Sequence, residues 1–380
     1  VRVAIVAGSE AGHALPGLAL ALRLIGAGHV PVVFTGRQWG TVGERYGIDT
    51  RELRGLAARP GDDDGDAGAK IHGRAAYIAT QVLPGIRDHR PDLVVADILT
   101  PGGGMAAELL GVPWIELSPH PLYLPSKGLP PIGAGLAPAQ TPRELLRDAV
   151  LRGFTARDIR NGERQREAAR AGIGLPARDA GPTGRIIATI PALELPRPDW
   201  PARTHLVGPL TLEPTDEACP VPAGDGPLVM VAPSTAATGE QNLAEVAVDA
   251  LRGEGVRLAV SGLNPPVFDE PWVTSGFGRQ DRLVAQADVV ICGGGHGMLT
   301  KALTAGRPVV VVPGGGDQWE LANRVARQGS GLLVRPLTAD AVRDGVGRLL
   351  AEPSFAGAAR DAAATAHRVA DPVTVCEAYA

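Results

Sequence analysis

Residues 291–323, ICGGGHGMLTKALTAGRPVVVVPGGGDQWELAN, decide the fold. They read as strand, glycine turn, helix, turn, strand, glycine turn, and a second helix opened by Asp317 and Gln318. Val289, Val290 and Ile291 form a short apolar run of the kind buried in parallel sheets. Gly293, Gly294 and Gly295 let the backbone turn sharply and approach a ligand closely. A helix is predicted over 298–305. Amides at its start, those of Gly297 and Met298 among them, lack partners within the helix and carry a partial positive charge. That is a phosphate site made of backbone. A strand over 309–312 follows, and the turn 313–316 delivers Asp317 and Gln318 to the same sheet edge. Open parallel sheets bind ligands at the C-terminal ends of their strands. A diphosphate and two polar side chains are therefore expected to converge there.

The same alternation extends outward in both directions. Towards the N-terminus, strands are predicted over 3–7, 31–35, 93–97 and 114–117, with helices over 15–26, 82–89 and 105–110. A charged helix over 142–170 and short strands over 186–189 and 205–207 follow. A second series has strands over 228–231, 258–260, 273–275, 289–291 and 309–312, with a helix over 241–253. Two β-α series imply two doubly wound parallel sheets. Residues 209–227 hold five prolines and several acidic side chains without an apolar period, and make the best linker. The expected organisation is a first domain over 1–210, a linker over 211–226, a second domain over 227–354 and a helical segment over 355–380. Residues 119–142 read as a long ordered loop of the kind that carries function.

At 380 residues the chain is long for one core and natural for two. A net charge of −4 leaves no basic footprint for nucleic acid. The three cysteines, Cys219, Cys292 and Cys376, are far apart and form neither a disulfide framework nor a zinc pattern, which suits a cytoplasmic protein. No apolar run approaches the roughly 20 residues that span a bilayer. The run Asp62-Asp63-Asp64-Gly65-Asp66 invites a metal reading, but such charge runs in glycine-rich loops are ordinarily solvated. No metal is expected.

His13 lies in Gly8-Ser9-Glu10-Ala11-Gly12-His13, between the first strand and the first helix. On the residues alone it is either a helix cap or a cleft-facing base, a role that suits imidazole. Asp97 ends the run Leu93-Val94-Val95-Ala96. It either caps the following helix or bonds the far nitrogen of His13, as a carboxylate does in hydrolase triads.

Together these motifs resemble the nucleotide-sugar glycosyltransferases of the GT-B fold. More narrowly, they are similar to the actinobacterial natural-product (antibiotic) enzymes related to the UDP-glycosyltransferases. That family's donor signature is H-x-G-x-x-[ST]-x-x-E-A-L-x-x-G-x-P, a strand, and D-Q-x-x-N-A. Gly295, Ala302, Leu303, Gly306, Pro308, Asp317, Gln318 and Asn323 fit it. The resemblance implies two Rossmann-like domains facing across a cleft, with the last helix crossing back onto the first domain. It implies His13 as general base with Asp97 as its orienting partner, and Gly12 beside the donor. Phe277, in Phe277-Gly278-Arg279-Gln280, would stack on the base near Gln280. Ser234 would meet the phosphates, Gly293 to Met298 would cradle the diphosphate, and Asp317 and Gln318 would hold the sugar. Tyr77, His120 and Tyr123 would line the acceptor pocket.

The chain departs from the pattern at three places. Gly293 stands where the family has a phosphate-binding His, for which His296 is a substitute. Lys301 stands where it has a ribose-binding Glu, and could instead pair with the diphosphate. Met298 replaces a Ser or Thr. A Lys cannot accept sugar hydroxyls, which favours a dTDP over a UDP donor.

The function expected is inverting, metal-independent transfer of a sugar from a nucleoside diphosphate to a hydrophobic small molecule. The only other small molecule required is the nucleotide-sugar co-substrate, and a homodimer is left open. Two alternatives stand beside this. One is a lipid-intermediate N-acetylglucosaminyltransferase of the peptidoglycan type, against which the sequence shows no apolar membrane-facing patch. The other is a degenerate, non-catalytic sugar-nucleotide-binding protein.

Overall fold

A computed structural model describes residues 1–62, 65–66, 68–235 and 239–380. The first half runs β1 (Arg2–Val6), α1 (Ala11–Gly26), β2 (Val30–Thr35), α2 (Gly40–Arg45), β3 (Asp49–Glu52) and α3 (Arg74–His89). It continues with β4 (Leu93–Asp97), α4 (Gly102–Leu110), β5 (Trp114–Ser118), α5 (Pro142–Ala171), β6 (Gly184–Ile187) and β7 (Thr204–Leu206). These strands form one parallel seven-stranded sheet in the order β3-β2-β1-β4-β5-β6-β7. β1 is apolar throughout its buried length because both of its faces are covered. Val3 and Ile5 face the core containing α1, and Ala4 and Val6 face the core containing α3 and α4.

The second half runs β8 (Leu228–Ala232), α6 (Leu243–Leu251), β9 (Arg257–Ser261), β10 (Val273–Gly276), α7 (Gln280–Gln286) and β11 (Val289–Cys292). Then come α8 (His296–Thr304), β12 (Val309–Val311), α9 (Asp317–Gln328), β13 (Gly331–Leu333), α10 (Ala339–Ala351), α11 (Pro353–Thr365) and α12 (Pro372–Tyr379). Six of these form a parallel sheet in the order β10-β9-β8-β11-β12-β13. Leu228 and Met230 serve one core, Val229 and Val231 the other.

Each sheet has one place where its strand order reverses, β1 beside β4 and β8 beside β11. The loops after such paired strands diverge and leave a crevice. In the first sheet the register sets Val6 opposite Ala96, so the loops after β1 and β4 emerge side by side. In the second, Cys292 lies opposite Ala232, which sets the 293–295 turn beside Ser234.

α12 follows the second sheet but packs on the first. Val373, Val375 and Cys376 join the core of α1, Tyr379 bonds His205, and Glu377 bonds His29. The chain therefore passes between the halves twice. The two passages lie together, with Ala370 N–H donating to the Leu206 carbonyl at 2.8 Å and Gly208 against Val369.

Several helices begin earlier than periodicity predicts. α1 starts at Ala11 rather than at 15, which places Gly12 and His13 inside its first turn. α3 starts at Arg74 rather than at 82. The strand Asp49–Glu52 has no apolar alternation to announce it, because it is an exposed edge. The segment expected as a linker is packed chain, with Leu212, Glu213, Thr215 and Cys219 all buried. α5 exposes Leu146, Val150 and Phe154 at four-residue spacing, an apolar stripe that the sequence reading missed. Among the described residues no helix is long and apolar enough to cross a membrane.

Candidate active site

The reversal at β1 and β4 brings His13 and Asp97 together. His13 Nδ1 and Asp97 Oδ2 are 2.8 Å apart, and the carboxylate is fully buried. Asp97 Oδ1 accepts the Leu99 N–H at 2.9 Å, so the group is fixed from both sides. With Asp97 ionised, Nδ1 carries the proton and Nε2 is the basic nitrogen. Burial of the ring opposes its charge. The Asp97 carboxylate and its hydrogen bond, joined by Glu10 and by Asp317, outweigh that and raise the His13 pKa above 6.5. Asp317 opens α9 in the other half, so its field reaches His13 across the cleft. The loop before His13 is pinned by residues that carry no sequence signal. Thr35 donates to the Gly8 carbonyl, and Gln38 and Trp39 donate to that of Ser9, each at 2.7 Å.

His120 and Tyr123 stack at 4.4 Å between ring centroids. Burial lowers the His120 pKa against the bond that its Nδ1–H donates to the Pro121 carbonyl, and the nearby charge of His13 lowers it further. The Tyr123 hydroxyl is buried without a hydrogen-bond partner among the described residues. Burial and the Asp317 carboxylate push its pKa well above 10.0. His120 and Tyr123 thus share the electrostatic neighbourhood of His13 and Asp317. Tyr77 does not join them through its contacts, since its ring lies under Arg59 and against Gly55.

On the opposite sheet, Gly293 has a steric cause. A Cβ there would stand 2.9 Å from that of Ser234, so no larger residue fits without displacing the turn. Gly295 precedes α8, whose first amides remain available for an anion. His296 does not substitute for the missing His. Its Nε2 is 2.7 Å from Thr189 Oγ1 in the other half, and desolvation of the ring, with the nearby charge of His120, pushes its pKa down to about 3. It is a neutral link across the base of the cleft. Gln318 also departs from expectation. It is buried, its Oε1 accepts the Gly314 N–H and its Nε2 donates to Ser234, so its amide shapes the turn. Asp317 is half-buried at the edge.

Phe277 projects, 39% exposed, from the end of β10. Arg279, in the place of the family's proline, is held to the packed linker, its N–H donating to the Glu217 carbonyl at 2.8 Å. Lys301 is not available to the diphosphate as a free charge. Its Nζ is 2.7 Å from Glu213 Oε1 and donates to Gln280 Oε1 at 3.1 Å. Glu213, the buried partner of Lys301, was missed by sequence reasoning, because nothing local distinguishes it within an acidic, proline-rich segment.

α9 also holds the long loop over 119–142. Glu320 accepts the Gly135 N–H at 2.9 Å, Arg327 donates to the Gly135 carbonyl at 2.8 Å, and Trp319 donates to Ala134. Arg324 pairs with Glu320 and donates to the Leu193 carbonyl. Both charges are buried, so removing either alone would cost about 3–5 kcal/mol.

In the acidic run, Asp62 is bound by Arg59 and Arg74, which hold its pKa down at about 2, and Asp66 caps Ala69. Asp63 and Asp64 lie outside the described residues. Among the described residues no three His, Cys, Asp or Glu side chains are grouped to hold a metal ion.

Two parallel sheets, each with one order reversal, with a His-Asp pair at the first and a helix-capped glycine turn at the second, have the GT-B fold. Residues 268–373 match the glycosyltransferase family 28 C-terminal domain. Over 99% of both chains the protein is 28% identical to 4'-demethylrebeccamycin synthase of Lentzea aerocolonigenes. Its fold is that of the glycotransferase of kitacinnamycin, with a TM-score of 0.77, 20% identity, and coverage of 99% of this chain and 97% of that one. It is also that of SsfS6 from Streptomyces sp. SF2575, solved with thymidine diphosphate, with a TM-score of 0.67, 20% identity, and coverage of 99% and 98%. Over its whole length the chain is thus similar to a glycosyltransferase that acts on a natural product.

Proposed function

We propose that this protein transfers a sugar from a nucleoside diphosphate to a hydroxyl of a hydrophobic small molecule, with inversion and without a metal. The observation that carries the reading is the His13–Asp97 pair, 2.8 Å apart at the reversal of the first sheet and within the field of Asp317 opposite. The acceptor hydroxyl gives its proton to His13 Nε2 as its oxygen bonds the anomeric carbon. On the opposite face the bond from that carbon to the diphosphate oxygen breaks, and the nucleoside diphosphate leaves with the electron pair. Asp97 stabilises the imidazolium that forms. The first amides of α8 take up charge on the leaving diphosphate, which calls for no cation. Asp317 orients the sugar hydroxyls. Tyr123, whose buried hydroxyl has no partner among the described residues, and His120 face the acceptor. Lys301 in place of a ribose-binding carboxylate supports a thymidine nucleotide, and the thymidine diphosphate complex of SsfS6 is in keeping with it.

The test is transfer from dTDP- and UDP-hexoses to a panel of hydroxylated aromatic and polyketide acceptors, with the anomeric configuration read by NMR. A retained configuration would overturn the single-displacement reading. Donor binding without turnover on any acceptor would favour the non-catalytic alternative. The lipid-intermediate alternative has one observation on its side, the stripe Leu146, Val150 and Phe154 on α5. Co-flotation with anionic vesicles, abolished by Phe154→Ser, would revive it.

A further inference from the structure

The geometry assigns Glu213, in the segment that joins the two sheets, as the residue that sets which pentose the nucleotide site accepts, acting through Lys301. The assignment rests on the reading of the second sheet's cleft face as the nucleotide-sugar site.

Glu213 is buried and held from three sides. Its Oε1 lies 2.7 Å from Lys301 Nζ, its Oε2 accepts the Gln280 N–H at 3.1 Å, and its own carbonyl accepts the Tyr46 hydroxyl at 2.7 Å from the first half. Lys301 is on α8, one turn beyond the amides that open the helix, and also donates to Gln280 Oε1. Gln280 is three residues past the exposed ring of Phe277. The Glu213–Lys301–Gln280 group therefore joins the turn carrying an aromatic face to the helix carrying an anion site. A nucleotide whose base meets the ring and whose diphosphate meets the amides lays its pentose over that group.

The hydrogen-bonding capacity there is lopsided. An ammonium has three N–H donors and no acceptor. Two of those donors are engaged, leaving one for a ligand. Gln280 Oε1 is occupied by Lys301, and the Glu213 carboxylate is turned to Lys301 and to the backbone of α7. A pentose with two hydroxyls finds no carboxylate turned towards it and must share Gln280 Oε1 with Lys301, and an O–H left short of an acceptor is a costly loss. A 2′-deoxy pentose has one fewer to satisfy. Glu213 acts twice: it neutralises Lys301, so that the lysine does not seek the diphosphate, and it keeps its own carboxylate from the sugar.

The consequence is that position 301 cannot be changed alone. In Lys301→Glu the new carboxylate meets Glu213, so both nucleotides should bind about tenfold more weakly or worse. Adding Glu213→Gln keeps an acceptor for the Gln280 amide and supplies an N–H to the carboxylate at 301. That double variant should recover binding and move the UDP-to-dTDP affinity ratio about tenfold or more towards UDP. The experiment is calorimetry of dTDP and UDP on the native chain, Lys301→Glu, and Lys301→Glu with Glu213→Gln, with thermal unfolding to show that each is folded. The assignment is overturned if the native chain prefers UDP, if Lys301→Glu alone binds UDP tightly, or if the double variant binds no better than the single one or keeps the native ratio. If the native chain binds neither nucleotide, the nucleotide-site reading itself falls, a result distinct from those three.

Discussion

His296 and Thr189 join the two halves of the molecule, with Nε2 and Oγ1 2.7 Å apart. The ring that sequence reasoning assigned to the phosphates is a half-buried, uncharged tie between the halves. Its pKa is about 3 when folded and 6.5 when exposed. The unfolded chain therefore binds a proton that the folded one refuses as pH falls below 6.5. Stability contributed by the neutral ring is complete above pH 6.5 and is lost progressively as pH drops towards 3. The loss should be on the order of a few kcal/mol. Urea unfolding at a series of pH values should give a flatter acid slope for His296→Asn than for the native protein. An unchanged slope would show that another group is responsible.

His13→Ala should leave nucleotide affinity within about threefold and lower kcat by about two to four orders of magnitude, the usual contribution of a general base. Stopped turnover assays and calorimetry on the same preparation separate the two quantities. Native turnover in the variant would remove His13 from the mechanism.

Asp97→Asn carries a signature in pH. Asp97 holds the His13 pKa above 6.5, and the base works when neutral, so the native rate falls as pH drops through that raised value. Without the carboxylate the acid limb of kcat/KM should move to lower pH while the maximum falls. The double variant with His13→Ala should lose little more than His13→Ala alone, because the pair acts as a unit. Fully additive losses would mean that it does not.

Gly135→Ala tests the fastening of the acceptor-side loop. Gly135 has φ +67°, and a Cβ there would run into Trp319 and Asn323. The variant should raise KM for the acceptor severalfold with little change in nucleotide Kd, at a stability cost of about 1–3 kcal/mol. Equal effects on both substrates would place the loop's influence elsewhere.

Transfer should survive EDTA, because backbone amides of α8 can carry the leaving charge. Loss of activity on chelation with recovery on adding magnesium or manganese would replace this account of the leaving group. Asp62→Ala should loosen its loop through Arg59 and Arg74 and leave metal-insensitivity unchanged.

What was legible in the chain followed burial. β1, β4 and β11 read as unbroken apolar runs because both faces of each sheet are covered, and Asp97 stood out as a carboxylate closing such a run. The glycine turn after β11 was visible for the same reason. What was hidden depends on contacts between distant segments. Gln318 had the right spacing for a sugar ligand, yet its amide is spent on Gly314 and Ser234. Glu213 acts through a residue 88 positions away in numbering (301 − 213), and no local pattern announces such a pairing. The start of α1 at Ala11 escaped periodicity because Gly12 and His13 occupy its first turn, whereas α3 starts at Arg74 with Ala75, Ile78 and Ala79 buried at helical spacing, a period that the sequence reading passed over.

The two passages of chain between the halves lie against each other, Leu206 bonded to Ala370. One passage alone would leave the halves free to twist as well as to bend. A paired crossing of this kind works as a door hinge: it suppresses twisting and directs relative motion into a single swing, widest at the far rim of the cleft. On the proposed function, such a hinge would return Asp317 to one position relative to His13 on each closing, so that the halves would need no fresh alignment.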